Sequence, residues 1–302
     1  MTDLVKGVYI NPYSDFGFKK LFCTEYNKDL LIAFLNALLT PQSPIEDLSY
    51  QPQDSLPDSK EERLAIFDVY CMLQDGSRII VEMQNSMQEY FKDRSLYYAT
   101  FPIREQAEKG PWKYELAPVY TVGVMNFTFD EREEYFHHEV VLFDRKTKEQ
   151  FYDKLCMIYL EMPKFNKQPD ELRTELDRWL YVIKNLARLS ERPKVLEGKI
   201  FEHLFEVARI AAITPEDREE YQLSLKRMWD NEAAMTTQRN LGLAEGLAKG
   251  KAEGLAEGKA QGIEIGEARS KREIARGMKA KGYANEEIHE ITGLSLAEIE
   301  AL

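Results

Sequence analysis

Asp68, Glu82 and Gln84 stand inside FDVYCMLQDGSRIIVEMQ, Phe67 to Gln84, a stretch that otherwise has the pattern of two apolar strands joined by a tight turn. Successive side chains of a strand point to opposite faces, so Phe67, Val69, Cys71 and Leu73 share one side and Asp68 and Tyr70 the other. On the second strand Ile79, Val81 and Met83 form one row, and Arg78, Ile80, Glu82 and Gln84 the opposite one. Two carboxylates and an amide set into an apolar hairpin are costly to bury without a partner. A hard divalent cation such as Mg²⁺ is a partner of the right chemistry, since it takes carboxylate and carbonyl oxygens and completes its shell with water. Asp68 and Glu82 would supply carboxylates and the Met83 carbonyl a further oxygen. A metal held in this way polarises a phosphoryl oxygen and acidifies a water. Gln84 projects from the face of Glu82 and is placed to orient that water, although an amide carries no charge of its own.

The turn decides whether the two acids meet. With a two-residue turn at Asp75-Gly76, Asp68 pairs with Met83 and points away from Glu82. With one more residue in the loop, Asp68 falls opposite Glu82. Asp-Gly suits a three-residue loop with a glycine in the left-handed region, so a bulge or equivalent slip is expected near Gly76.

The elements around the hairpin follow from periodicity. NPYSDFGFKKLFCTEYNKDLLIAFLNALL contains two helices, about 14–22 and 28–39. A proline-bearing loop with a short strand near 48–51 leads into the hairpin. NSMQEYFKDRSLYYATFPIREQAEKG is expected to be helical, broken near Pro102 and stopped at Gly110-Pro111. LAPVYTVGVMNFTF has the continuous apolar character of a strand covered on both faces. EYFHHEVVLFD and LCMIYLEM predict two more strands. From Asp170 the pattern is helical only, with Thr214 and Pro215 opening one helix.

Seven glycines recur every fourth residue from Gly242 to Gly266. Each costs about 1 kcal/mol inside a helix, so a flexible or frayed linker is as well supported as a helix-packing seam. Beyond it, helix signals end one helix near Lys281-Gly282, start another at Asn285, and place a capping box at Ser295-x-x-Glu298. The resulting divisions are an α/β domain over 1–165, a helical extension over 166–236, the glycine repeat as a helical or flexible linker over 237–270, and a small helical module over 271–302.

Composition narrows the classes. The 302 residues carry a net charge of −12, which argues against coating nucleic acid through bulk electrostatics. The last stretch, Tyr283 to Leu302, has five Glu and no Lys or Arg, so a protein contact suits it better than phosphate. Cys23, Cys71 and Cys156 are far apart and form no C-x-x-C pair, so they are expected to be thiols rather than disulfides or zinc ligands. Neither a signal peptide nor a segment approaching a membrane span is visible, and a cytoplasmic protein is the expectation. His137 and His138 point to opposite strand faces, which disfavours joint ligation, and His203 and His289 have no ligand at helical spacing.

NPYSDFGFKKLF with LLIAFLNALL, the central FDVYCMLQDGSRIIVEMQ with FKDRSLYYATFPIREQ, and the ending TGLSLAEIEAL together resemble the PD-(D/E)XK nuclease family transposases, the recombination-promoting nucleases. The resemblance covers most of the chain and implies a restriction-endonuclease-like core: a mixed sheet flanked by helices, followed here by an all-helical C-terminal extension. It also implies Mg²⁺-dependent cleavage of DNA, with Mn²⁺ the other ion such a site accepts. Carried over, the metal ligands are Asp68 and Glu82, and Gln84 occupies the place that lysine usually holds in the wider superfamily. Asp15 would reach the ion from the first helix, and Arg94, with Tyr98 one turn on, would present a cation to the scissile phosphate. The structural readings of the same residues are a helix-start carboxylate and half of a surface ion pair. Two other functions compete: a catalytically weak nuclease-fold scaffold or regulatory protein, self-associating through its C-terminal helices, and an RNA-cleaving enzyme using the same site.

Overall fold

The computed structural model describes residues 7–39, 41, 43–52, 54–55, 65–108, 110–132 and 134–302. Its elements are α1 (Asp15–Phe22), α2 (Lys28–Leu39), β1 (Leu48–Tyr50), β2 (Asp54–Ser55), β3 (Ala65–Ile66), β4 (Val69–Leu73), β5 (Arg78–Gln84), α3 (Phe91–Arg104), β6 (Val119–Met125), β7 (His137–Phe143), β8 (Gln150–Glu161), α4 (Glu175–Asn185), α5 (Lys199–Val207), α6 (Pro215–Ala280), α7 (Asn285–Thr292) and α8 (Leu296–Glu300). Six strands form one mixed sheet in the order β1-β4-β5-β6-β8-β7. The hairpin β4–β5 is antiparallel, β5, β6 and β8 run parallel, and β7 returns antiparallel along β8.

The two faces of the sheet are covered differently. Val69, Cys71, Val81, Val124, Ile158 and Leu160 belong to one large core with residues of α1, α2, α4 and α5. Trp179 of α4 anchors it, its ring 5.9 Å from Phe34 and 5.3 Å from Phe201. The opposite face carries α3, through Phe67, Tyr70, Ile80 and Phe101 and through Phe91, Met125 and Tyr159.

The NPYSDFG stretch folds for a local reason. Ser14 caps α1 by accepting the Gly17 N–H at 3.0 Å, and its hydroxyl donates to the Asn11 carbonyl at 2.7 Å. A Cβ on Gly17 would fall 2.0 Å from that carbonyl, so the turn admits no side chain there. Helical residues much later in the chain clamp the same segment: Ile10 N–H donates to the Ala208 carbonyl at 2.8 Å, and Asn11 N–H to the Tyr221 hydroxyl at 2.7 Å.

The chain divides into two compact units, 1–232 and 233–302. The boundary expected at 165 falls inside the first, because α4, α5 and the first turns of α6 build the same core as the sheet. In the second unit Ala275, Ile288, Leu294 and Ile299 form a small cluster of their own. Of the helical and flexible alternatives for the glycine repeat the structure has the helical one, a continuous helix of 66 residues; Ala, Leu, Glu and Lys between the glycines are strong helix formers, and propagation from existing turns is cheaper than nucleation.

Other expectations change in detail. Residues 85–90 are not helical, and α3 starts at Phe91 and runs through Pro102 to Arg104. Pro102 lies in its last turn, so the helix has little left to lose there. The strand expected from Leu155 begins five residues earlier, at Gln150, and pairs with β7 across an irregularity at Leu142. The helix expected from Asp170 is instead a short 3-10 turn followed by α4, whose capping box is Thr174 with Asp177.

Candidate active site

The hairpin loop holds the extra residue. Val69 pairs with Val81 and Cys71 with Ile79, and the Leu73 N–H donates to the Ser77 carbonyl at 2.9 Å. Gln74, Asp75 and Gly76 therefore form a three-residue loop, with Gly76 at φ +83° in the region where glycine carries no Cβ penalty. The same register continued by one residue sets Asp68 opposite Glu82. One part of the expected pattern fails: Phe67 does not share the face of Val69 but packs with Tyr70 and Tyr98, ring centroids 5.7 and 5.3 Å away. The ladder stops at Val69, and the Met83 N–H, which would have continued it, donates to Asp68 Oδ2 at 2.8 Å. Freed from the pleat, the backbone at 67 turns its ring under α3.

That swap builds the site. The Asp68 N–H donates to Glu82 Oε1 at 3.3 Å, and Gln84 Nε2 donates to Glu82 Oε2 at 2.9 Å. The N–H and C=O of one strand residue face the same neighbour, so the Met83 carbonyl is turned to the Asp68 side. Arg94 reaches in from α3: Nη2 donates to Gln84 Oε1 at 2.7 Å, and its guanidinium carbon lies 5.6 Å from the Tyr98 ring and 5.7 Å from Phe91. Gln84 is thus a bridge between Glu82 and Arg94, rather than an amide left open to orient a water. The small cleft between sheet and helix, about 20 Å³, is lined by Glu82, Gln84, Arg94, Ser95, Tyr98 and Thr121 among others.

Both carboxyls are shifted in the direction expected of acids crowded together. Burial raises Asp68, with the Asp15 charge adding to it while the Met83 N–H, Lys19 and Arg94 oppose. Burial first, and then the Asp68 charge, push Glu82 up to about 8. A pair of half-hidden acids with raised pKa is a site short of positive charge. The donor set consists of hard oxygens, so a divalent cation of the Mg²⁺ class fits it.

Asp15 does not join the pair. Its carboxylate is 2.9 Å from Lys19 and about half exposed, and among the described residues no three His, Cys, Asp or Glu side chains converge as a metal cluster. Sequence reasoning missed Lys19, whose charge acts on Asp68, and Thr121 and Ser95 in the cleft. The signals were slight: Lys19 is one helical turn from Asp15, Thr121 is the hydroxyl in an apolar run, and Ser95 follows Arg94. The histidines stay apart from the site, with His138 Nε2 2.9 Å from the buried Glu161, His203 Nδ1 2.8 Å from Asp29 and His289 Nδ1 2.7 Å from the Leu294 carbonyl. The three cysteines are free thiols, and Cys23 donates to the Asp68 carbonyl at 3.3 Å.

The model of the PD-(D/E)XK nuclease family transposase matches residues 12–238, from the clamped N-terminal turn through the hairpin to the first turns of α6. The chain belongs to this family. No curated protein and no solved structure matches it. Membership in the PD-(D/E)XK nuclease family transposases agrees with the mixed six-stranded sheet and flanking helices and gives the chain a nuclease- or transposase-like function. PD-(D/E)XK nucleases in general use divalent metal ions. No helix among the described residues is long and apolar enough to cross a membrane.

Proposed function

We propose that the chain is a metal-dependent DNA endonuclease that hydrolyses phosphodiester bonds in recombination or transposition. The observation that carries the reading is the register of the hairpin, which sets Asp68 opposite Glu82 and leaves two acids with raised pKa side by side. Asp68, Glu82 and the Met83 carbonyl would hold Mg²⁺ or Mn²⁺, which would supply Lewis-acid polarisation of a phosphoryl oxygen and acidification of a water. The protein supplies the rest. Gln84 fixes the Glu82 carboxylate with one end of its amide and the Arg94 guanidinium with the other. Arg94, steadied against the Tyr98 and Phe91 rings, provides beside the site the cation that an amide at position 84 cannot. Tyr98 positions Arg94 and closes the cleft over Glu82.

Supercoiled plasmid incubated with the protein and Mg²⁺ or Mn²⁺ tests this. Nicking is expected, chelator-sensitive, and reduced at least roughly a hundredfold by Asp68→Asn or Glu82→Gln. Activity indifferent to both substitutions contradicts the proposal, and cleavage of structured RNA in preference to plasmid redirects it to the ribonuclease alternative.

A further inference from the structure

The α3 helix, whose Arg94 and Tyr98 line the cleft, carries further aromatic side chains on its exposed surface. Tyr90, at its N-cap, and Tyr97, seven residues later, are 67 % and 45 % exposed. Residues spaced i, i+4 and i+7 share a helix face, so Arg94 lies between the two tyrosines. They are separated by about 10 Å along the axis. The Tyr97 ring leans edge-on against Phe101, 5.0 Å between centroids, and remains nearly half exposed; two exposed tyrosines at helical spacing on either side of an arginine that itself enters the site have the form of a stacking platform.

The charge distribution points to what is stacked. Residues 1–235 carry 30 basic and 41 acidic side chains, whereas a duplex held by its backbone requires several phosphates neutralised by Lys and Arg. Near the pair of acids Lys19 is already matched to Asp15, so ring stacking has to carry affinity that electrostatics do not. We propose that the substrate enters the site as an unpaired strand, single-stranded or locally opened, with bases stacked on Tyr90 and Tyr97 and a phosphate beside Arg94.

The inference rests on the phosphodiesterase reading, so its test reads binding without chemistry. Fluorescence anisotropy with labelled oligo(dT), and with a duplex of equal length, is measured in EDTA. Oligo(dT) is expected to bind more tightly than duplex and with weaker salt dependence than a backbone-clamping protein shows. Tyr90→Leu and Tyr97→Leu are each expected to weaken it about tenfold, while Tyr90→Phe and Tyr97→Phe keep wild-type affinity and all four variants melt with the wild type. Equal binding by the Leu variants, tighter binding of duplex, or a concentration-dependent dimer lost on Leu substitution without any change in oligonucleotide binding overturns the proposal. Tyrosine-dependent binding of oligo(dT) in a protein that nicks no plasmid removes the endonuclease reading and leaves the platform standing. Oligo(U) in parallel shows whether the sugar matters.

Discussion

Glu82 bears the largest electrostatic cost in the site, and its consequences can be measured. Its carboxyl is pushed up to about 8 by burial and by the Asp68 charge, from the ordinary glutamate range near 4.3. A group whose pKa is raised by folding contributes stability that is complete below the unfolded value and is lost as pH rises through the folded one. The metal-free protein should therefore become easier to denature between about pH 4.5 and 8, read as a falling urea midpoint. Glu82→Gln should flatten that dependence and raise stability at pH 8, while removing metal affinity. A divalent ion must displace the same proton, so its binding should strengthen over the same interval. Arg94→Ala should lower kcat by about a hundredfold, the scale of one lost transition-state contact, and leave metal affinity near the wild-type value. The type and spacing of Asp68, Glu82 and Gln84 were legible in the sequence. That Gln84 spends its amide on Arg94 was not, because the contact joins a strand to a helix whose rotation periodicity alone leaves open.

At the scale of elements, the hairpin register was readable because a single feature sets it: Asp75-Gly76 admits a loop of three, and each residue added to a loop moves the partner strand by one. Gly17 carries a comparable constraint less visibly. Its absent Cβ leaves room for the Asn11 carbonyl, 2.0 Å from where the Cβ would be, so Gly17→Ala should destabilise the fold by several kcal/mol, on the scale of overpacked cores, and be seen as a large loss of melting temperature. The repeat in α6 behaves oppositely. A Cβ on Gly250 or Gly254 meets nothing within 4 Å, so replacing both by Ala should add about 1 kcal/mol of helix stability each, measured as slower limited proteolysis of that segment. Glycine content left helical and flexible readings both open because local cost was the only quantity in view. A helix already nucleated on either side of the repeat extends through it, and that cooperativity is not a property of the repeat itself.

For the whole molecule, the change from mixed to purely helical pattern after residue 165 suggested a domain boundary, yet Trp179 and Phe201 complete the core beneath the sheet. Contacts of such separation leave no local trace, so the pattern marked a change of element and not a change of body. The same arrangement holds the hairpin still: the large core fixes one face of β4 and β5, and α3 brings Arg94 to the other. All of it serves one claim, that the two acids of the hairpin share a single hard cation. Calorimetric titration of Mn²⁺ into the metal-free protein at pH 8 tests it most directly. One ion per chain should bind to the wild type, and none measurably to Asp68→Asn or Glu82→Gln of native melting behaviour. Undiminished binding to both variants would contradict the account.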